Sequence, residues 1–590
     1  MVRTLSSPLI AALAAALPVS AAAAPPAPTQ LLVDMVDDTD DADERALEAK
    51  LGGIDLRLNS PQAAEERFFV ADVAPGRIAE LAARLAGDPR VEAAEPNWIY
   101  GLPEGEAPTL ASTDAEDLRP APGAPNDPLY PRQWSFPMIG AADAWPTADG
   151  AGVVVAVIDT GVAFEEFKKF RRVEDLEAGR FVEGYNFISD SAHANDDHGH
   201  GTHVAGTIAQ TTDNGIGVAG VAPKAKIMPL KVLSKRGFGS AGDIADAIRF
   251  AADEGAHVMN LSLGGGPRSR VMESAVSYAR KKGVLVICAA GNNGRPRVEY
   301  PAAYKGAFAV SSVGPTKDLA FYSSYGPQIA VAGPGGDKNV GGDAGGILQN
   351  TIVQDRPELT GVYLSYQGTS MATPHVAGVA ALVISAGITD AGKVEAILQN
   401  TAEDLGAEGR DDRFGHGLVN AAKAVGAARQ ERGGFAHFFG ALAGLLAVAG
   451  AAARRHGPRI LRTLLGPGAL LGAIWTSVGF SILPGALGLP LAMLDLALLG
   501  PASHFSWVWA SVLPLLGLAV AFVGIRRLRG FLLGLTVGFG AHLAVTALLG
   551  SVDVVGLPGL ASTLDRVWLA LQAGLSLGLA FAIARVAARR

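Results

Sequence analysis

Residues 150–162 read GAGVVVAVIDTGV. Turn-forming glycines open the stretch, an apolar run rich in β-branched residues follows, and Asp159 closes it against Thr-Gly. An apolar run of this length between turn residues is a strand buried on both faces. Similar runs return at 226–233 (KIMPLKVL), 257–263 (HVMNLSL) and 284–290 (VLVICAA). Helical stretches separate them, AGDIADAIRFAADEG at 241–255 and VMESAVSYARKKG at 271–283. Strand alternating with helix predicts an α/β domain over 127–430, a mostly parallel sheet with helices on both faces. In such sheets sites form at the carboxyl ends of the strands, which is where Asp159 stands.

The 590 residues exceed one domain. Residues 1–24 carry one Arg, a short apolar stretch and then small residues, the pattern of a secretory signal peptide. Residues 25–100 read as a small α/β unit, with strands in LLVDMV and RFFVADV and an amphipathic helix over 75–85. A linker rich in Pro, Gly and acids covers 101–126. From 433 to 590 the chain predicts an all-α membrane bundle of five spans, at 435–453, 464–483, 505–525, 531–549 and 567–584. Arg clusters follow the first, third and fifth spans. The positive-inside rule then puts the C-terminus in the cytoplasm and the α/β domain on the periplasmic or extracellular side of a multi-pass inner-membrane protein. The net charge of -8 and the lack of a basic recognition face argue against nucleic acid as a partner. The single cysteine, Cys288, excludes an intrachain disulfide framework and lies in an apolar run, as a core thiol does.

Three motifs follow in order: VIDTGV around Asp159, HGTHVAGT from His200 and GTSMATPHVAG around Ser370. A hydroxyl nucleophile needs a base to take its proton and a carboxylate to orient that base. Asp159 ends a strand, His200 opens a helical segment, and Ser370 begins another after a glycine turn, where a helix N-terminus favours developing negative charge. His203 and His375 read as structural. His198 edges the cleft or faces solvent.

These motifs resemble those of the subtilisin-like serine peptidases, the subtilases, over 127–428. The resemblance implies that Ser370 attacks the scissile carbonyl of protein or peptide substrates, His200 acts as base and then acid, and Asp159 orients it. It implies that Asn292 in AAGNNG donates to the oxyanion. It also implies that Ser262, Leu263, Gly264 and Gly265 pair with the substrate backbone and wall the first pocket, with Gly237, Phe238 and Gly239 as the opposing edge. Glu299, before the Tyr-Pro pair in VEYPAAY, would stand at the pocket floor and select Lys or Arg; alternatively it faces solvent or pairs with Arg295 or Arg297. TTDNGIGVAG at 211–220 resembles a calcium loop, with Asn214, Ile216, Val218 and Asp175 as oxygen ligands for Ca²⁺; a metal-free glycine turn is the other reading. Residues 25–100 resemble an inhibitory propeptide, processed after Tyr100, that acts as an intramolecular inhibitor. A zymogen tethered to the lipid bilayer follows. The competing expectation makes the bundle a transport or signalling unit and the peptidase its regulatory ectodomain.

Overall fold

A computed structural model of the chain describes residues 26–102, 109–110, 124–429, 465–477, 504–506, 512–549, 553–555 and 563–588, with four single positions between 444 and 454. The expected signal peptide and most of the linker lie outside the described residues. The chain divides into two compact units, Met1–Val425 and Gly426–Arg590.

The first unit begins with an antiparallel sheet of β1 (Gln30–Met35), β2 (Arg57–Leu58), β3 (Phe68–Asp72) and β4 (Val91–Pro96), in the order β2-β3-β1-β4. Two helices accompany it, α1 (Asp41–Lys50) and α2 (Ile78–Leu85). The sequence reading lacked α1, whose mean hydropathy is low. Its start is written locally instead: Asp40 accepts from the amides of Ala42 and Asp43, and the Asp43 side chain bonds back to the cap, a reciprocal pair that satisfies orphan amides. Strand alternation gives the sheet two faces. Leu31, Val33, Phe69 and Ala71 pack with Leu81 and Leu85 of α2. Leu32, Phe68 and Val70 turn the other way, into a core shared with Ile244, Ala247 and Ile248.

The short strand β5 (Ile99–Gly101) leads out of this sheet, and β6 (Thr109–Leu110) follows. Seven parallel strands then form the central sheet: β7 (Val154–Asp159), β8 (Tyr185–Asn186), β9 (Lys226–Lys231), β11 (Val258–Leu261), β12 (Leu285–Ala289), β13 (Ala307–Val313) and β14 (Ile329–Pro334). Their order is β14-β13-β12-β11-β7-β9-β8. The four apolar runs read from sequence are β7, β9, β11 and β12. The serines of β13 and the brevity of β8 hid the others from a pattern based on continuous hydrophobicity. The helices that cover the sheet include α3 (His200–Ala209), α4 (Ala241–Asp253), α5 (Arg270–Lys281), α6 (Thr369–Ser385) and α7 (Ala391–Asn400). The strand β10 (Phe238–Ser240) and the hairpin β15 (Ile347–Thr351) and β16 (Val362–Tyr366) lie outside the central sheet.

The second unit is mostly helical, with α8 (Pro467–Ser477), α9 (Leu513–Phe522), α10 (Arg529–Leu549) and α11 (Thr563–Ala588), but a short parallel pair, His504–Ser506 with Asp553–Val555, departs from the all-α expectation. The described residues do not support the five-span expectation. Among the described residues one helix, Arg566–Ala587, is long and apolar enough to cross a membrane. At 10 residues, α9 reaches about 15 Å, short of a bilayer core of about 30 Å, and α8 is described only from Pro467 to Ser477. The 531–549 stretch lies in α10, which buries Leu532, Leu533 and Val537 against Ala580 and Ile583 of α11. The expected 435–453 span falls almost wholly outside the described residues. Hydropathy alone marked these segments, and it does not report how far a helix runs.

Candidate active site

Asp159 is the last residue of β7 and is fully buried. Its Oδ1 lies 2.8 Å from His200 Nδ1 and accepts from the Thr160 amide at 2.7 Å. Because a carboxylate only accepts, Nδ1 carries a proton and Nε2 is left as the basic nitrogen. His200 opens α3, so the strand end and the helix start fix the pair from two sides.

Ser370 is the second residue of α6, after Gly368 at φ +154°. A Cβ at Gly368 would stand 3.0 Å from Asn292 Nδ2, in a backbone conformation that other residues rarely adopt, so glycine keeps this approach open. Asn292 Oδ1 accepts from the Thr369 amide at 2.9 Å and from Thr369 Oγ1 at 2.7 Å. With its oxygen held by Thr369, the asparagine presents its NH₂ toward Gly368, beside the nucleophile. Ser370 Oγ donates to the Ser262 carbonyl at 3.2 Å, and Ser262 Oγ donates to the Ser370 carbonyl at 2.8 Å. Ser262 follows β11, so the central strand and the nucleophile helix are tied to each other at the site.

Asp196 organises this site, and the sequence reading missed it. Its Oδ1 accepts from Thr160 Oγ1 and the amides of His198 and Gly199, and its Oδ2 from the amide and hydroxyl of Thr202, all between 2.6 and 3.0 Å. One carboxylate therefore ties the turn after Asp159 to the start of the His200 helix. The signal was present in NDDHGHGT, an acid just before a helix, where Asp caps free amides. His203 donates from Nε2 to the carbonyls of Ile347 and Leu364, and His375 bonds Met371 O and Ser135 Oγ. Burial depresses their pKa values to about 3 and about 4, so both stay neutral structural groups. His198 is also depressed by burial, against the pull of Asp196. Burial pushes the Cys288 thiol far above its ordinary range, as suits an inert core residue.

The two segments expected to bind substrate carry the chain's own strand. β5 pairs antiparallel with β10, placing Gly101, Tyr100 and Ile99 opposite Phe238, Gly239 and Ser240. The Gly101 amide donates to Gly264 O at 3.0 Å, the Gly264 amide donates back at 2.8 Å, and Leu102 N donates to Gly237 O at 2.9 Å. Residues 99–102 thus lie as an added strand between the 237–239 and 262–265 edges. Tyr100 is fully buried; its hydroxyl donates to Pro267 O and lies 3.5 Å from Tyr304 Oη. A Cβ at Gly266 would come within 2.6 Å of the Tyr100 ring, so this glycine makes room for it.

Glu299 packs against the glycines of the cleft. Its Oε2 lies 3.3 Å from where a Gly264 Cβ would be and 3.8 Å from that of Gly265, and Oε1 accepts from Asn293 Nδ2. Leu263, between them, is buried.

In the 211–220 loop, Asp175 is fully buried and accepts from Asn214 Nδ2 at 2.8 Å and the Val218 amide at 2.9 Å. Ile216 is exposed, and its amide donates to Asn214 Oδ1 at 2.8 Å. Asp127, not singled out from sequence, accepts from the amides of Asp213 and Asn214 at 2.8 and 3.1 Å. Burial raises Asp175 to about 7, and Asp127 adds repulsion. Two buried carboxyls, from segments before the glycine-rich loop, meet on it as a hard-oxygen set whose charge a cation would offset, so the residues fit calcium.

The model of the subtilase family matches residues 150–417. Thermitase of Thermoactinomyces vulgaris is 40% identical over 302 residues, which cover 51% of this chain and 99% of thermitase. The chain belongs to the subtilase family. It is a subtilisin-like serine endopeptidase, and its seven-stranded parallel sheet is the one this family uses. A thermophilic serine proteinase of Bacillus sp. (strain AK1) is 36% identical over 363 residues, 61% of this subtilase and 79% of the relative. Fervidolysin of Fervidobacterium pennivorans, described as a keratinolytic enzyme related to subtilisin, superposes with a TM-score of 0.56 at 28% identity, over 70% of this chain and 62% of its own.

Proposed function

We propose that this subtilase is a self-inhibited endopeptidase, exported and held at the membrane, that cuts through an acyl-enzyme on Ser370. The observation that carries this reading is the Asp159–His200 pair at 2.8 Å, together with Ser370 at a helix N-terminus bonded to the Ser262 carbonyl just after β11. Ser370 Oγ exchanges its bond to Ser262 O for one to His200 Nε2. The imidazole takes the hydroxyl proton as Oγ attacks, and Asp159 stabilises the resulting imidazolium. Asn292 Nδ2 and the Ser370 amide receive the oxyanion. His200 then gives its proton to the leaving amine, and water repeats the steps in reverse roles to free the acid.

Residues 25–102 are the inhibitor. Support comes from β5, which fills the substrate edges with native chain. Since Gly101 and Leu102 also bond to these edges, the cut lies beyond Leu102 rather than directly after Tyr100. Glu299 directs the first pocket toward Lys or Arg, a reading supported by its carboxylate lying against Gly264 and Gly265. Asp175, Asn214, Ile216, Val218 and Asp127 would hold calcium, which when bound would supply a structural cross-link to the loop. The helix Arg566–Ala587 is the membrane anchor.

The test compares the wild-type chain with Ser370→Ala. Wild type is expected to separate residues 25–102 from the rest and then digest casein, while the variant stays a single chain. Cleavage by the variant at the wild-type rate would overturn the reading.

A further inference from the structure

The N-terminal unit meets the rest of the subtilase over an acid-rich contact that the catalytic machinery does not use. Asp246 of α4 is buried; its Oδ2 accepts from Asn59 Nδ2 at 2.7 Å and Ser60 Oγ at 2.8 Å, while its Oδ1 is buried without a hydrogen-bond partner. Asp243, one turn earlier, lies 3.5 Å from the same Asn59 amide. Arg249, one turn later, places Nε 2.7 Å from Glu66 Oε2 and Nη2 3.6 Å from Asp34 Oδ2, with Asp34 buried at 3% exposure. From α5 the neutral Ser274 faces the same guanidinium, at 3.4 Å. Around this cluster, Asp37 and Glu92 of the N-terminal unit and Asp190 and Asp253 of the catalytic part add only negative charge. Four carboxyl groups, two from each side, therefore meet across the contact with a single guanidinium among them.

A buried carboxylate with a bare oxygen is costly, and a protonated one is far less so. The four are shifted in that sense. Burial, the largest cause in each, raises Asp34 to about 6, Glu66 and Asp243 to about 7, and Asp246 to about 8. Arg249 opposes the rise at Asp34, Glu66 and Asp246, and the neighbouring acids reinforce it. Separation returns the groups to water, where they ionise near 3.8 for Asp and 4.5 for Glu. The sign follows: the docked form binds more protons than the separated form, so docking is strongest at low pH and weakens as pH rises through about 6 to 8.

We propose that Asp34, Glu66, Asp243 and Asp246 form a pH-gated clasp, which keeps the severed N-terminal unit on the enzyme in mildly acidic surroundings and releases it under alkaline ones. The proposal rests on the reading of residues 25–102 as the inhibitor. It adds a trigger: after self-cleavage, the rise in pH sets the moment of activation. The strand β5 and the Tyr100 socket supply affinity at every pH, since neither the backbone bonds nor a tyrosine hydroxyl ionises in this range. The carboxyl cluster supplies the pH dependence.

The experiment uses the full chain in detergent, allowed to cleave itself and held at pH 5.5. Portions are moved to buffers from pH 5.5 to 9.5. Release of the N-terminal fragment is followed by size-exclusion chromatography, independently of turnover, and hydrolysis of a chromogenic peptide is followed alongside. Release is expected to speed up at least about tenfold between pH 6.5 and 8.5, with activity rising in step. Asp246→Asn keeps the neutral form at every pH and is expected to flatten the profile and hold the fragment at pH 8.5. Glu66→Gln, at a more accessible position, is expected to flatten it in part and serves if the first variant folds poorly. A wild-type release rate that changes less than twofold over the range, or variants that keep the wild-type profile, would overturn the clasp. Full activity at pH 5.5 with the fragment still bound would instead overturn the inhibitor reading, and the clasp with it.

Discussion

Among single residues, Asn292 owes its role to a neighbour. Thr369 holds the amide oxygen with two bonds, so the nitrogen has one direction left to face. Asn292→Ala is expected to lower kcat by about 10² to 10³, the loss measured for the corresponding donor of a subtilisin, with little change in KM. Steady-state kinetics on one peptide substrate checks this. At Glu299 the expectation concerns choice rather than rate. Glu299→Ser is expected to lower kcat/KM for substrates with Lys or Arg before the scissile bond by about tenfold or more, and to leave or improve large apolar ones. Profiling both proteins on a peptide library decides it, and an unchanged preference would assign the carboxylate to its bond with Asn293.

At the scale of elements, the site is where three of them end. Asp159 stands at the terminus of β7, His200 at the start of α3 and Ser370 at the start of α6. Backbone ladders and core packing fix each element, but the angle between β7 and α3 is set locally by Asp196. Its five bonds span both. Asp196→Ala removes a buried acceptor and leaves these donors unpaired, a cost of about 3 kcal/mol or more. The variant is expected to lose about 5 °C in Tm and most of its activity, read by calorimetry and casein hydrolysis. Asp196→Asn retains an acceptor and is expected to recover part of both. The motif residues were legible before the fold because their chemistry demands fixed types in fixed local contexts. Asp196 was not, since its importance lies in which strand its partner Thr160 follows.

For the whole molecule, the loop of Asp175 and Asp127 packs beside the hairpin of β15 and β16; the Asp175 amide lies 3.4 Å from Asn350 Oδ1. A cation there would cross-link segments distant in sequence. Millimolar calcium is expected to raise the Tm of the wild-type chain by several degrees over the same protein in chelator, by binding the folded form alone. Asp175→Asn is expected to abolish most of that difference, and a calcium response equal to wild type would remove Asp175 from the ligand set. The second unit gave the least to sequence reading. Its apolar character was plain, but composition does not count spans. By length and composition together, one described helix qualifies.

From the sequence alone came the parallel α/β class, the order of strands and helices around each motif, and the serine endopeptidase class. These follow from local rules: hydrophobic period, turn residues at strand ends, and the few side chains able to perform acyl transfer. Tertiary structure decided what depends on distant segments meeting. It seated Tyr100 beside Gly266 and Tyr304, turned Glu299 against Gly264, joined Asp127 to the loop of Asp175, and faced Asp34 and Glu66 with Asp243 and Asp246 across one arginine. No local pattern encodes such meetings, because the energy of a buried charge or a filled pocket belongs to both partners at once and exists only when the fold brings them together.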